Sequence, residues 1–526
     1  MYKINTRTNK PDVGYMEATV GNLMKRGIRL ADCKALMEYY VNLREALRED
    51  FVTKYSVDNP NSSKQIIAYL QYLSNQVEAG NRNDIIDICY DDEHNKWTSD
   101  AEAMEKLADL GYEFAQDLLD YRHAKKYAES IESIWEAADE NGLIHPTVTL
   151  GKTHRVNYSK PGIMTIPKQL LWHVVAPYTP GNILYSIDIK NQEPGILINL
   201  SGADELKFAL ESPDGLYETM FKQCFKPTVK ANVLIDTFLE DRVYTIPEIR
   251  AIGTISSALY SPSKPSSHEI YYNDKRVVGI ETICMGGSKG VYPKFPDKVS
   301  IELEDGSIEQ VGVTWGSAEK NYKKSSDYCI EGVLEGIDVR ISKVERREFK
   351  TSWLAISYGA SAFGIKNMCK VIDGGKVYKY ITGIKAIKEY RSRVEKAARN
   401  GVNIIKTAFG NPMYAGDFGD DVKKLKRVLL DLPIQGTGAD ILALLIKRFY
   451  DYTSENGLTD KVSLYYTRHD ELILEVAKEW LEEAGSKKVE ATLRDMMEHQ
   501  VDDWVPFKIE VVRTSATSLD FDSDEE

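Results

Sequence analysis

The sequence predicts an α+β protein of several subdomains, helical at its start, strand-rich in its middle and helical again beyond. Three observations lead there. Apolar residues recur at spacings of three and four through residues 1–150 and again through 341–450, the period of helices with one buried face. Between them, residues 224–340 carry alternating segments around Asn273-Asp274 and Asp305-Gly306, and alternation about such pairs is the strongest short-range hairpin cue. Two apolar stretches, Asn182–Ile189 and Lys461–Val476, read as strands that run into carboxylates at Asp188 and at His469-Asp470-Glu471.

Taken in order, helices are expected over Met16–Met24, Leu30–Leu47, Ser63–Leu73, Ala101–Leu110 and Tyr112–Asp139. Asp58-Asn-Pro-Asn-Ser-Ser-Lys64 supplies a turn and a cap before the third. The strand Asn182–Ile189 is followed by Ile196–Leu200, which begins a helix. Pro and Ser punctuate residues 261–267. Two hairpins follow, His268–Tyr272 with Arg276–Ile280 and Val299–Glu304 with Ser307–Val311, so residues 224–340 read as a separate β-rich unit. Residues 341–450 return to helix, Lys461–Val476 is strand, turn and strand, and Asp520–Glu526 is an acidic tail. No internal repeat is visible.

The chain has 526 residues, 43% hydrophobic and 28% charged. At about 150 residues per domain this is room for about three or four domains or lobes. Its composition excludes collagen-like, disordered and disulfide-scaffold classes. The longest uninterrupted apolar runs, such as Ile441–Ile446, fall short of the ~18 residues that span a bilayer. The first seven residues lack the apolar core of a signal peptide, so a soluble cytoplasmic chain is expected. Cys33, Cys89, Cys224, Cys284, Cys329 and Cys369 form no C-x-x-C pair, which argues against zinc and for a reducing compartment. The net charge of −13 argues against nucleic-acid binding only as an average, because the local field decides.

Three constellations carry chemistry. Asp188 ends an apolar strand, with Glu193 five residues on. Arg346, Lys350, Leu354 and Tyr358 lie four apart before Gly359, on one helical face spanning about 18 Å. Two cations, an apolar contact and a tyrosine make a ruler for a triphosphate, a sugar and a base, since Arg forks onto phosphate and Lys adds a point charge. An ordinary exposed helix gives the same spacing. Asp188 and Asp470 each stand where an apolar strand meets polar residues. If the strands are neighbours their carboxylates converge, and oxygen-only donors suit Mg²⁺; two strand-end aspartates in turns give the same pattern.

Together and in this order the constellations resemble the family A DNA polymerases. Asp188-Ile-Lys-Asn-Gln-Glu193-Pro-Gly-Ile-Leu-Ile-Asn-Leu-Ser-Gly202 is similar to the family's motif A, Arg346–Gly359 to its motif B helix, and His469-Asp-Glu471 to motif C. Leu432-Pro-Ile-Gln-Gly-Thr-Gly-Ala-Asp440 resembles the segment between B and C. Upstream, Asp58–Gln65, Trp97–Asp100, Leu118–Arg122, Gly142–Pro146, Thr153–Arg155 and Lys160–Pro167 resemble the thumb and the stretch after it. The resemblance covers nearly the whole chain except about the first 20 residues, residues 224–340 and the tail.

It implies a right-hand palm, fingers and thumb fold with an antiparallel palm sheet and mostly helical thumb and fingers. The corresponding division is 1–26 N-terminal extension, 27–150 thumb, 151–223 first palm segment, 224–340 insertion, 341–420 fingers, 421–515 second palm segment and 516–526 tail. It further implies a monomeric enzyme that extends a primer on a DNA template with dNTPs, and two Mg²⁺ ions, with Mn²⁺ as a substitute. Asp188 and Asp470 would bind the metals, with the Ile189 carbonyl and Glu471 as further donors. Arg346 and Lys350 would hold the triphosphate, Lys350 also protonating the leaving pyrophosphate. Leu354 and Tyr358 would pack near sugar and base, and Glu193 would exclude a ribose 2′-OH. Arg155, Arg427, Gln435 and His469 would contact the primer–template.

Departures from the family pattern are Pro194-Gly195 in place of Leu-Arg, Leu354 in place of an aromatic, Lys190 in place of Ser, and a finger-to-palm loop at Gly410-Asn-Pro-Met without arginines. The thumb resemblance begins near Gly27, so no proofreading exonuclease is expected. Residues 224–340 read either as a surface elaboration or as a module contacting DNA or a replication partner, and the acidic tail as a solvated end or a docking segment. The rivals are a single-subunit RNA polymerase, against which Glu193 and Glu471 argue, and an inert DNA-binding scaffold, against which the intact Asp188, Asp470, Lys350 and Tyr358 argue.

Overall fold

The structure, a computed structural model, describes residues 3–4, 11–77, 83–91, 95–235, 243–244, 269–281, 283–287, 294–316, 328–369, 371–419, 421–498, 500–501, 504 and 507–513. The segment at 261–267 and the acidic tail lie outside them. The chain divides into two compact units, one of Met1–Lys190, Gly438–Asp502 and Lys508–Glu526, the other of Asn191–Thr437 and Asp503–Phe507.

The first unit opens with capped helices. Asp12, Ser62 and Asp100 accept from the amides of Tyr15, Gln65 and Ala103 at the starts of Val13–Arg26, Ser63–Asn75 and Ala101–Asp109, so each chain entry satisfies donors that the helix itself cannot. The long helices Lys34–Tyr55 and Glu113–Glu136 pack together. Phe51, Ile66, Leu70, Met104, Leu107, Phe114 and Leu118 fill the space among them. Leu30, read as helical, instead bridges to Val175, and the second helix starts four residues later, after Cys33.

The same unit holds a four-stranded antiparallel sheet, in the order Val462–Arg468, Glu471–Val476, Ile183–Ile189, Ile509–Arg513. Every residue of Glu471–Val476 is buried, as a central strand covered on both faces requires. The helix Val13–Arg26 packs on the first strand and Ser486–Met497 on the last.

The second unit contains Gln192–Ser201, Leu216–Cys224, Lys343–Ser357, Gly374–Gly383 and Lys385–Arg399, and a nine-stranded sheet between Thr228 and Val339. Its pairings are antiparallel apart from Ile283–Gly287 beside Thr228–Ile235. Asn273 and Asp274 both take left-handed φ, 49° and 62°, the geometry that a two-residue hairpin loop needs.

The structure corrects the helical reading of 341–450. Ile404–Lys406 and Pro412–Tyr414 pair as a hairpin, and Gly410, read as part of a loop, takes φ 91° at its turn. β-Branched Ile404 and Ile405 after Gly401 favour a strand there. Pro433 lies inside the 34-residue helix Val422–Glu455, where its missing N–H would ordinarily break the ladder. That helix also qualifies the reading of apolar runs, since by length and composition it could cross a membrane. Yet 89% of its apolar window is buried within the protein, as in a core helix.

Candidate active site

The carboxylates belong to the first unit. Arg468 pairs with Glu471, leaving His469 and Asp470 as a two-residue loop with His469 at φ 54°. The next strand over is Ile183–Ile189, where Leu472 faces Ile187. The strand Glu471–Val476 runs antiparallel to Ile183–Ile189, so the loop that carries Asp470 and the strand end that carries Asp188 lie at the same end of the sheet. The Ser186 hydroxyl, two residues from Asp188 on the same face, donates to Glu471, which is only 5% exposed. Sequence reasoning named Glu471 and missed Ser186, which carries no motif signal.

Two arginines act on the loop between these strands. His469 is held below its usual pKa by burial first and then by the cations Arg468 and Arg155, so its ring stays neutral at pH 7. Arg468 is nearly buried and donates to the Ile166 carbonyl at 3.0 Å. The Tyr158 hydroxyl lies 2.9 Å from Thr467 Oγ1. Together these contacts fasten the strand before the loop to the segment after Arg155.

The second unit holds the nucleotide-type residues. Lys343–Ser357 begins with a capping box, the Ser342 hydroxyl to the Glu345 amide and the Glu345 carboxylate back to the Ser342 amide. Phe349, Trp353 and Ile356 are buried on one side, while Arg346 and Lys350 are exposed and Leu354 partly so on the other. Tyr358 is the C-cap rather than a helical residue. Gly359 follows at φ 94°, where a Cβ would meet Leu430 Cδ1 at 3.1 Å and Arg427 Cγ at 3.3 Å. That close approach, with the left-handed φ, requires glycine.

Glu193, Tyr358 and Gln435 form one network. The Tyr358 hydroxyl donates to Glu193 Oε2. Gln435 Nε2 donates to Glu193 Oε1 at 2.8 Å and to the Tyr358 oxygen at 3.1 Å. Burial, with the Glu193 carboxylate beside it, pushes the Tyr358 phenol well above its usual pKa, so it stays a donor at any physiological pH. Gln435, expected at the primer–template, is here engaged with the glutamate and the tyrosine, and Arg427, about two turns earlier on the same helix, is exposed. Tyr217 was missed by sequence. Its ring centroid is 5.9 Å from the Lys350 ammonium, and burial, then Glu193, raises its pKa. Phe221, one turn on, packs edge-on against Phe349 at 5.6 Å, which sets the two helices against each other.

The departures acquire reasons. Pro194 lies in the first turn of Gln192–Ser201, where a missing N–H costs nothing. A Cβ on Gly195 would meet Phe507 Cε1 at 2.6 Å, so no longer side chain fits. Lys190 pairs with Glu510 at 2.8 Å.

For a divalent cation, the first unit offers carboxylate oxygens at Asp188 and Asp470, hard donors that suit Mg²⁺. Among the described residues no group of three or more His, Cys, Asp or Glu gathers as a metal cage. A two-carboxylate site of this kind fits an ion that completes its shell with substrate phosphates and water.

Comparison with known proteins agrees with this geometry. Residues 332–517 match the family model for DNA polymerase family A, and residues 280–337 match one for a bacterial Ig-like domain (group 4). The chain is 28% identical over 252 residues to DNA polymerase I of Aquifex aeolicus, covering 46% of this chain and 40% of that one. It is 30% identical over 151 residues to DNA polymerase I of Pseudomonas aeruginosa, covering 27% and 16%. It thus spans two-fifths or less of these relatives. The POL domain of Pol1 from M. smegmatis, solved in complex with DNA primer-template and dNTP, superposes with a TM-score of 0.61 at 16% identity, over 95% of this chain and 69% of that one. The fold is therefore that of a polymerase domain.

Proposed function

We propose that this chain, whose residues 332–517 match the model for DNA polymerase family A, extends the 3′-OH of a DNA primer with dNTPs on a DNA template, without proofreading of its own. What supports the reading is that Asp188 and the loop carrying Asp470 lie at the same end of two adjacent antiparallel strands. Asp188 and Asp470 would hold the divalent cations, with the Ile189 carbonyl and Glu471 as further donors. When bound, a pair of such ions lowers the barrier by stabilising the attacking and leaving oxygens of an in-line displacement.

The remaining steps belong to the protein's side chains. Arg346 and Lys350 bind the triphosphate, Arg346 as a fork and Lys350 as a point charge. The primer 3′-oxygen forms a bond to the α-phosphorus, and the bond from that phosphorus to pyrophosphate breaks. The proton of the 3′-OH leaves to solvent, and Lys350 gives one to the departing pyrophosphate. Tyr217, against the Lys350 ammonium, limits where that ammonium reaches. Leu354 and Tyr358 flank sugar and base. Glu193, fixed by Tyr358 and Gln435, fills the space that a ribose 2′-OH would need. Arg155, His469 and Arg427 serve the primer–template.

The test is extension of a 5′-labelled primer with Mg²⁺, comparing deoxy- with ribonucleotides and the native chain with Asp470→Asn. The expected result is a deoxynucleotide ladder that drops at least ~10³-fold in rate in the variant, with a primer left full-length when nucleotides are withheld. An undiminished ladder in Asp470→Asn would overturn the assignment of the carboxylate pair.

A further inference from the structure

A groove of about 500 Å³ runs along one face of the helix Lys385–Arg399. Lys388, Arg391, Lys396 and Arg399 line it from that helix, and Lys426 joins them from Val422–Glu455. Glu395 is the one carboxylate in the lining, and it is already held by Lys426 at 2.5 Å and Arg399 at 2.6 Å. Five cations against one carboxylate make this surface strongly positive in a chain of net charge −13. Such a concentration of like charge is costly unless an anion relieves it.

Its dimensions say which anion. Lys388 to Arg399 is eleven residues of helix, about 16 Å, too long for one phosphate and long enough for several successive phosphates of an extended strand. Tyr378 also lines the groove, half-buried. A positive groove with an aromatic ring in it is the arrangement that takes single-stranded nucleic acid, phosphates on the cations and a base on the ring. Arg391, at the inner side, donates to the Ile356 carbonyl in the last turn of the helix that ends at Tyr358. The groove is thus tied to the nucleotide-type helix of the same unit.

We propose that this groove binds the sugar–phosphate backbone of single-stranded DNA, the unpaired template or a displaced strand. The proposal deepens the polymerase reading and rests on it for the identity of the strand. The groove shares no residue with the carboxylate pair, the Arg346–Lys350 stripe or the Glu193 network.

The test is binding of the full chain to labelled primer–templates whose 5′ overhang grows from one to ten nucleotides, over a salt series. The variant is Lys388→Gln/Lys396→Gln/Arg399→Gln, all exposed positions, with Lys388→Arg/Lys396→Arg/Arg399→Lys as the charge-keeping control. The native chain should tighten as the overhang lengthens. The Gln variant should lose most of that gain and its salt slope should flatten by about 2, from ~0.7 per phosphate contact, while the control keeps both. One-nucleotide overhangs should bind alike in all three, which also reports that the variant is folded. Equal overhang, flap and salt dependence in native and Gln chains overturns the proposal. So does a variant that loses affinity for inorganic tripolyphosphate alone, because the groove would then serve free phosphates. A nicked duplex with a 5′ flap forms the second arm: a loss confined to it assigns the groove to the displaced strand, and a loss confined to overhangs assigns it to the template. Binding needs no incorporation, so a chain that binds through the groove yet extends no primer refutes the polymerase reading and leaves this one standing.

Discussion

Glu193 shows what one residue can and cannot disclose. Its place five residues after Asp188 is visible in the sequence, and so is its resemblance to a sugar-discriminating glutamate. Its partners are not visible, because Tyr358 and Gln435 lie 165 and 242 residues away and only the fold brings three polar side chains together. The network predicts graded behaviour. Glu193→Ala opens the space at the sugar and should raise ribonucleotide kcat/KM relative to deoxynucleotide by about 10–200-fold, the range for a single group gained or lost in a pocket. Tyr358→Phe keeps the ring and removes one donor to the carboxylate, so it should loosen Glu193 without deleting it. A hydrogen bond to a charged group is worth about 1.5–3 kcal/mol, part of which appears in discrimination, so about 3–10-fold is expected. Competitive single-nucleotide extension measures both. Unchanged discrimination in Glu193→Ala would mean that the carboxylate does not gate the sugar.

At the scale of elements, legibility follows how local the signal is. Five of the six helices described in the first 150 residues and both hairpins of the middle region are specified by periodicity, caps and turn pairs within a few residues; most stand close to their expected bounds, though the second helix runs eight residues past Leu47 and the short helix Asp84–Cys89 was not read. The short strands Ile404–Lys406 and Pro412–Tyr414 were illegible, because three residues hold too little periodicity to outweigh the helical stretches beside them. Pro433 is the opposite case: it lies in a stretch read as helical and stays helical, because tertiary burial overrides a strong local rule. The cap of Ala101–Asp109 permits a quantitative check. The Ala103 amide, then the Thr98 hydroxyl and the cations Lys106 and Arg122, hold Asp100 below its ordinary 3.8. A depressed folded-state pKa adds stability above the unfolded value and loses it as pH falls through the folded one. Asp100→Ala should therefore destabilise by about 1 kcal/mol at pH 7, and the gap to the native chain should narrow as pH drops below 4, read by urea unfolding at each pH. A gap constant from pH 7 to 3 would mean that the carboxylate charge contributes nothing to the cap.

For the whole molecule the open matter is what residues 224–340 do with respect to DNA. They hold 17 Asp and Glu against 14 Lys and Arg. Several of the described cations are answered internally, Lys275 by Asp305 at 2.6 Å, Arg340 by Asp274 at 2.7 Å and Arg276 by Glu269 at 3.6 Å. A cation paired one to one with its own carboxylate, unlike two cations sharing one, has little left for a phosphate, and binding through phosphates is what sets the salt dependence of DNA affinity. The fold makes the experiment clean. Thr228 and Val333 are direct partners on adjacent antiparallel strands, and the Leu334 amide donates to the Pro227 carbonyl at 3.0 Å. The chain thus enters the sheet beside its last long strand, and two glycines in place of residues 228–333 can close the gap, Asp338–Val339 losing only its pairing with Ile270 and Tyr271. The shortened chain should bind a primer–template with the native affinity and with a salt slope within about 1 of native, since the phosphate contacts lie elsewhere. A slope flatter by two or more would make the sheet a DNA-contacting module, against the charge pairing seen here. An unchanged slope together with shorter products on a duplex-blocked template would leave a protein partner as what the sheet engages, the role that a fold with an Ig-like match and self-neutralised cations suits better than nucleic acid.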